Sequence, residues 1–449
     1  MGSESAAFLF STPEMTVTFS LTRQLRAMMQ FEWALTCALE RQGIAEAGAG
    51  ATLESLLDAE FVDIATLERD AHEVGNIAIP FIRQLTERVK DTSEPAARSI
   101  HLGATSQDVL DTALVLQMRE ALALIVEAID RLDVALAKQV RAHSATVMTG
   151  RTWMQPGPPT TLGLKLAGTL AALRRHRTRI NAAAERALVL QFGGAVGTLA
   201  ALGSAGIEVS SELARKLNLK EPELPWHTQR DNLVETAQVL ALLVGSLGKF
   251  AKDVALLMQA EVAEVTEPSR AGRGGSSTMP QKQNPVACAM VLAAAARVPG
   301  LISTMLAAMP QEHERGLGLW QTEWETLPEI FRLASRAMAS SIEVAEGLVV
   351  NASRMTSNLD AMHGLPQSEA VSAALARKVG RSAAHEILRE ATRQARDKNQ
   401  NLSEILKRNS EVTAHLAPET IDQLLQPREY LGSAKQFIER VLGAPRAQR

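Results

Sequence analysis

The chain has 449 residues, 46% hydrophobic and 22% charged, and its 47 Lys and Arg against 50 Asp and Glu leave a formal charge of -3. It is too long for one small core, too apolar for a disordered chain, and too nearly neutral to grip nucleic acid by charge. Aromatic residues make up 4%, with a single Tyr, which argues against base-stacking platforms and all-β strands and leaves helices as the expected element.

In chain order, apolar spacing predicts helices over residues 19–42, 66–75 and 78–90, with 48–52 as a loop, inside an N-terminal helical domain spanning residues 1–107. From Asp108 onward, Leu110, Leu114, Met118, Leu122, Ile125, Ile129, Leu132, Leu136 and Val140 step by threes and fours, with no Gly or Pro before Gly150. That pattern predicts one very long helix. Comparable stretches cover 161–190, 230–265, 285–308 and 323–349, and Pro299-Gly300 is expected to bend or break the 285–308 stretch. The fold class expected is all-α: an elongated bundle of long helices over residues 108–355, flanked by small N- and C-terminal helical domains. The C-terminal domain, residues 356–449, is read from short amphipathic segments interrupted by Gly364, Pro366, Gly380, Pro418 and Pro427.

Cys37 and Cys288 sit among Ala, Leu, Val and Met, so neither a disulfide framework nor a thiolate metal site is expected. The apolar stretches at 239–247 and 286–296 fall short of the roughly 20 residues a membrane span needs. No basic segment leads into an apolar one at the N-terminus, so the expectation is a soluble cytoplasmic protein with no membrane or nucleic-acid partner. The basic run at 174–179 reads as a solvated face or a subunit contact.

Gly and Pro collect at 150–159, 193–206, 222–225, 268–285 and 310–318, between the long helices. The most unusual joint is Gly272-Arg-Gly-Gly-Ser-Ser-Thr-Met-Pro-Gln-Lys-Gln-Asn-Pro285, which runs into a predicted helix. Its glycines allow close backbone approach, the helix-start amides carry partial positive charge, Lys282 adds a full charge and Asn284 a neutral donor. This is the chemistry of an anion site, for phosphate or carboxylate, although the P-loop order of Gly, Lys and Ser/Thr is absent. Read without that guest, the stretch is a surface loop with a capped helix.

Gly275, Ser276, Met279, Lys282 and Asn284 match the signature Gly-Ser-x-x-Met-x-x-Lys-x-Asn, and on this stretch the chain resembles the fumarase/aspartase superfamily. Two further family stretches occur in order, His101-Leu-Gly-Ala-Thr-Ser-Gln-Asp-Val-Leu-Asp-Thr112 and Gly150-Arg-Thr-Trp-Met-Gln-Pro-Gly-Pro-Pro-Thr-Thr-Leu-Gly163, so the resemblance spans essentially the whole chain. It implies β-elimination or its reverse next to a carboxylate, with Ser276 as the proton-transfer residue. Removing such a proton makes a dianionic enediolate, which Lys282, Asn284 and the loop amides are suited to stabilise while Gly272, Gly274 and Gly275 act as hinges. Thr105 and Ser106 match family positions that hydrogen-bond a substrate carboxylate; unaided, they read equally as helix caps.

Trp153 stands where many of these lyases carry a His that protonates the leaving group. An amine leaves poorly as an anion, whereas a carboxylate leaves with a conjugate-acid pKa of about 4 and needs no proton donor. Run backwards, that is addition of a carboxylate to a double bond in its own molecule, forming a lactone. The stretches Leu190-Gln-Phe-Gly-Gly-Ala195, Pro225-Trp-His-Thr-Gln-Arg-Asp231, Gly245-Ser-Leu-Gly-Lys-Phe250 and Pro310-Gln-Glu-His-Glu-Arg-Gly-Leu-Gly-Leu-Trp320 resemble the cycloisomerase branch, which lactonises carboxymuconates in aromatic catabolism. Gln281, Gln283 and Pro156-Gly157 depart from relatives, which leaves the muconate substituent open.

A polycarboxylate substrate needs cations, and the candidates are Arg151, His227, Arg230, Arg315, Lys282, His101 and His72. Trp33, Trp226, Trp320 and Trp324 read as core or pocket wall. No metal or cofactor is expected. Thr105 and Trp153 flank opposite ends of one long helix, so a site using both is expected to draw on different subunits, and the resemblance implies a homotetramer with such composite sites. The rival readings are an adenylosuccinate-type lyase releasing fumarate, which Trp153 disfavours, and an inactive structural relative, which intact Ser276, Lys282 and Asn284 disfavour.

Overall fold

A computed structural model describes residues 7–268, 275, 279 and 282–443. Helices dominate, as the all-α expectation requires, and the strands among the described residues are two short antiparallel pairs. The long helices are Ser106–Ala142, Leu162–Ala187, Asp231–Leu257, Val286–Ala307 and Leu319–Gly347. The chain forms two compact units, each discontinuous in sequence. One comprises Met1–Ala128, His176–Gly245 and Ala293–Ala339, the other Ile129–Arg175, Ser246–Leu292 and Ser340–Arg449, so every boundary falls inside a long helix.

In the first unit the helix Leu21–Arg41 buries Leu25, Met28, Phe31, Leu35 and Leu39, one face at steps of three and four. These pack in one cluster with Phe81, Leu85, Val109, Val115, Phe192, Val209 and Leu213. Fully burying each such side chain contributes roughly 1.5–3 kcal/mol, which is why this face fixes the helix in place. In the second unit a cluster confined to the C-terminal segment contains Val371, Leu375, Leu388, Leu402, Leu406 and Ile421.

The Ser106–Ala142 helix opens where Asp108 turns back to accept the Thr105 N–H at 3.0 Å, a cap supplied from inside the first turn. It ends against Gly163, whose N–H donates to the His143 carbonyl at 2.8 Å; a Cβ on Gly163 would lie 2.7 Å from that same oxygen. Then the strand Val147–Thr152 turns back on Gln155–Thr161. The two-residue turn between Thr152 and Gln155 is Trp153-Met154, both at positive φ (51° and 62°). Such turns suit the twist of a hairpin but favour Asn and Gly, so a Trp-Met pair here holds a strained backbone.

Four sequence expectations change. Residues 48–52 are no loop: Gly48, at φ 88°, starts the helix Ala49–Glu54. The 150–159 joint is hairpin, because a two-stranded ribbon consists of edge strands that tolerate Pro156, Pro158 and Pro159. The 230–265 stretch stops at Leu257, and Val265–Thr266 pairs with Val349–Val350 instead. Finally, Pro299 does not break its helix; buried Val291, Ala294, Val298 and Met305 hold both halves in line at the cost of one backbone hydrogen bond. The uninterrupted helix Val286–Ala307 therefore runs 22 residues with Arg297 its one charged residue, a mean hydropathy of 1.8 over its best 18-residue window and 28% of that window buried, so by length and composition it could cross a membrane.

Candidate active site

Two carboxylates at i and i+3 on the first two turns of the Ser106–Ala142 helix organise the first unit. Asp108, fully buried, accepts from the Gln191 side chain (2.9 Å), the Gly193 and Gly194 amides (3.1 and 2.9 Å) and His227 Nε2 (2.8 Å). Gly193 has to be glycine, since a Cβ would meet Pro225 at 2.6 Å and the His227 ring at 2.9 Å. Asp111 accepts both Arg230 Nη groups (2.7 and 3.0 Å), the Trp320 indole N–H (3.0 Å) and the Gln107 amide (3.1 Å).

Arg230 is enclosed, its side chain 0% exposed, and it also donates to Glu323, with Nη2 at 2.5 Å. Burial disfavours its charge, but Asp111 and Glu323 outweigh that and hold the guanidinium protonated beyond its ordinary value. The Glu323 carboxyl is raised, because burial outweighs the attraction of Arg230. Every direction of the Arg230 fork is thus committed within the protein, to the two carboxylates and, at 3.5 Å, to the His227 carbonyl, and His227, 3% exposed, is paired with Asp108. Both residues, expected as substrate cations, are found paired with acids inside the first unit, two of them on the helix that begins at Ser106.

Arg315 lies in the same unit as a cation that does reach the helix start. Its guanidinium donates to Thr105 Oγ1, to Ser106 Oγ at 3.3 Å and to Gln107 Oε1 at 3.2 Å. Both hydroxyls accept from a cation there, which leaves their own O–H groups to donate outward. His101, just before them in sequence, sits at φ 58° against the buried Glu32. His72 is exposed on the rim of a cavity of about 600 Å³ whose wall includes Asp111, Gln117, Trp324 and Arg332. Among the described residues the Arg332 guanidinium has no hydrogen-bond or ion-pair partner; nothing in its local sequence singles it out.

The second unit holds the other residues singled out in the sequence. Trp153 stands at the hairpin tip with 97% of its surface exposed and Met154 beside it with 73%. Two residues before that tip Arg151 forms a two-pronged pair with the buried Glu264 (3.0 and 2.6 Å), which also accepts from Asn358 at 2.9 Å. Lys282 is exposed and Asn284 half-buried just before the helix Val286–Ala307, and Gly275 and Gln283 form an antiparallel bridge across the loop. Ser276, Ser277, Gly272 and Gly274 lie outside the described residues.

One expectation about this loop is corrected. The start of the Val286–Ala307 helix is already occupied by an anion from within: Glu267 accepts the Ala287 and Cys288 N–H groups at 3.0 and 2.7 Å. Burial, with Glu267 alongside, pushes the Cys288 thiol up, which keeps it from acting as a thiolate. Those helix-start amides are therefore not the ones that receive a substrate. No group of three or more His, Cys, Asp and Glu among the described residues is placed to hold a metal ion.

The long helices, the Thr105-Ser106 helix start, the Trp153 hairpin and the Lys282-Asn284 loop carry the three stretches on which the lyase resemblance rests. The family model described as Lyase matches residues 13–300, and that of the adenylosuccinate lyase C-terminus matches 364–441. The chain belongs to this lyase family, the fumarase/aspartase superfamily of the sequence reading. Within it, the chain is 50% identical over 436 residues to the 3-carboxy-cis,cis-muconate cycloisomerase of Pseudomonas aeruginosa, covering 97% of this chain and 95% of the other. Among solved structures, the 3-carboxy-cis,cis-muconate lactonizing enzyme of Pseudomonas putida superposes with a TM-score of 0.93 at 47% identity, covering 98% of each chain. A fumarate lyase from Mesorhizobium sp. BNC1 superposes with a TM-score of 0.91 at 39% identity, covering 97% of this chain and 99% of that one.

Proposed function

We propose that the chain lactonises 3-carboxy-cis,cis-muconate, or a close analogue, to a carboxymuconolactone in aromatic catabolism, using Ser276 for proton transfer and no metal or cofactor. Likeness along almost the whole chain to enzymes named for this reaction carries the reading. A carboxylate oxygen of the substrate forms the new C–O bond, the double-bond electrons move onto the carbon next to a second carboxylate, and the resulting enediolate takes a proton from Ser276. Lys282 and Asn284 face the growing negative charge. Thr105, Ser106, Arg315, His101 and His72 hold the carboxylates, Arg151 keeps the hairpin in place through Glu264, and Trp153 walls the pocket where related lyases need a proton donor.

The test follows diene absorbance when purified protein meets 3-carboxy-cis,cis-muconate. Lactonisation destroys the conjugation and absorbance falls. Cleavage of adenylosuccinate instead, with the muconate untouched, makes the chain an elimination lyase of the kind its likeness to a fumarate lyase allows. No change with either substrate makes it a structural relative.

The same reading assigns a cytoplasmic homotetramer, with residues 1–107 and 356–449 as end domains around the 108–355 bundle. Support for the C-terminal domain comes from the core confined to that segment. Support for the tetramer comes from the apolar Val286–Ala307 helix, so little covered by its own chain that other copies are its natural cover. Thr105 and Trp153 flank, in sequence, an unbroken 37-residue helix about 55 Å long, and that length supports a site that draws them from different subunits. Mixing inactive Ser106→Ala with an inactive bulky Trp153 variant is expected to restore roughly a quarter of the activity after subunit exchange, since each site then needs two intact halves drawn at random. Recovery of nothing in mixtures shown to exchange subunits would refute the shared site.

A further inference from the structure

The helix Leu21–Arg41 carries one carboxylate that its apolar face does not explain. Glu32 has 0% of its side chain exposed, among Met28, Phe31, Leu35 and Leu39, and both of its oxygens are spent on one residue. Oε2 accepts the backbone N–H of His101 at 2.9 Å, and Oε1 accepts from the His101 ring at Nδ1, 2.7 Å away. The grip is on a residue at φ 58°, in the left-handed region that a residue with a Cβ seldom occupies without a local reason.

Fixing Nδ1–H on a carboxylate also fixes what the other nitrogen can do. Nε2 has no hydrogen-bond partner among the described residues, and the side chain keeps 21% of its surface exposed. The turn from His101 leads directly to Thr105 and Ser106, where Arg315 is anchored. Two carboxylates act on the ring, Glu32 from the Leu21–Arg41 helix and Asp108 from the Ser106–Ala142 helix; burial disfavours the ring's charge, yet together they outweigh it and favour the protonated form. The Arg315 guanidinium, held by Thr105 and Ser106, is the nearby cation from the 310–318 loop.

We propose that Glu32 is a positioning residue that aims His101 Nε2–H as a carboxylate-binding donor alongside Thr105, Ser106 and Arg315, selecting a substrate with more than one carboxylate. The assignment of the ligand rests on the lactonisation reading; the Glu32–His101 coupling does not. Glu32 touches no substrate, so its effect has to travel through His101.

The experiment uses the full-length protein with nitrogen-labelled histidine, and His101→Gln identifies the His101 ring signal. In Glu32→Gln the ring's titration midpoint is expected to fall by about one pH unit or more, a change that simple loss of packing would not produce. With 3-carboxy-cis,cis-muconate, Glu32→Gln and His101→Gln are each expected to raise KM about tenfold or more with little change in kcat, the effect of losing one charge-assisted hydrogen bond. The double variant is expected to be no worse than His101→Gln alone. An unchanged ring midpoint in Glu32→Gln overturns the proposal, as do KM losses that multiply in the double variant. If Glu32→Gln does not fold, Glu32→Asp takes its place, and an unshifted midpoint there overturns it equally. A wild-type protein inert toward the muconate refutes the lactonisation reading and the carboxylate role of His101, while the ring titration still decides whether Glu32 controls it.

Discussion

Ser276→Ala is expected to lower turnover by about two to four powers of ten, the usual span for losing a positioned acid or base, with the fold intact. The reasoning is chemical. Protonating an enediolate at carbon needs an acid held at one face of a planar carbanion, and a hydroxyl serves only if its oxyanion is stabilised when the proton leaves. Lys282 is suited to that: it is exposed, its ammonium has no partner among the described residues, and the Gly275–Gln283 bridge draws the two sides of the loop together around it. KM is expected to move little, because the serine contributes to the transition state more than to ground-state binding. The measurement is steady-state turnover with circular dichroism on the same sample. Near-normal turnover would transfer the role elsewhere, with Ser277 the first residue to test.

Legibility in the sequence followed the range of the interaction. The helix over 78–90 is found at Ala78–Lys90, and the one read from Asp108 runs Ser106–Ala142, because apolar steps of three and four with no breaker leave one solution. The hairpin was hidden because its Gly and three Pro residues signal a joint, and only pairing with Val147–Thr152 turns them into a strand. Its consequence, a Trp held out at a strained turn, follows from φ angles that no spacing rule supplies. Among the site residues, Arg230 shows the same limit from the other side. Its type and motif suggested a substrate cation, but its partners Asp111 and Glu323 lie 119 and 93 positions away, so burial and pairing were invisible. A signal did exist: Asp108 and Asp111 sit at i and i+3 on a helix otherwise rich in Leu and Val, and two acids there call for internal partners.

Arg230→Met is expected to cost about 3–5 kcal/mol of stability, the range for breaking a buried ion pair by removing one partner. What is lost is less the attraction than the neutralisation: Asp111 and Glu323 would face each other in a closed space, each side chain no more than 2% exposed, without a cation. The sign of the pH dependence follows from Glu323. Its carboxyl is raised by burial even with Arg230 present, and removing the guanidinium raises it further. A group whose folded value lies above its unfolded one favours folding below the unfolded value and loses that contribution as pH rises through the folded one. The deficit of Arg230→Met is therefore expected to be smaller near about pH 5 than near about pH 8 in urea unfolding. A deficit of the same size at both would show that Glu323 does not carry the cost. Replacing Arg230, Asp111 and Glu323 together by Met, Leu and Leu is expected to regain most of the stability, since an apolar cluster of similar volume needs no cation. It is not expected to regain activity, because Asp111 also anchors the Trp320 indole and the Gln107 amide, and Gln107 and the Arg230 fork both hold the His227 carbonyl. Those bonds set the start of the helix on which Thr105, Ser106 and Arg315 converge, so the charge that looks most wasteful in the fold is the one that keeps the proposed carboxylate-binding end in register.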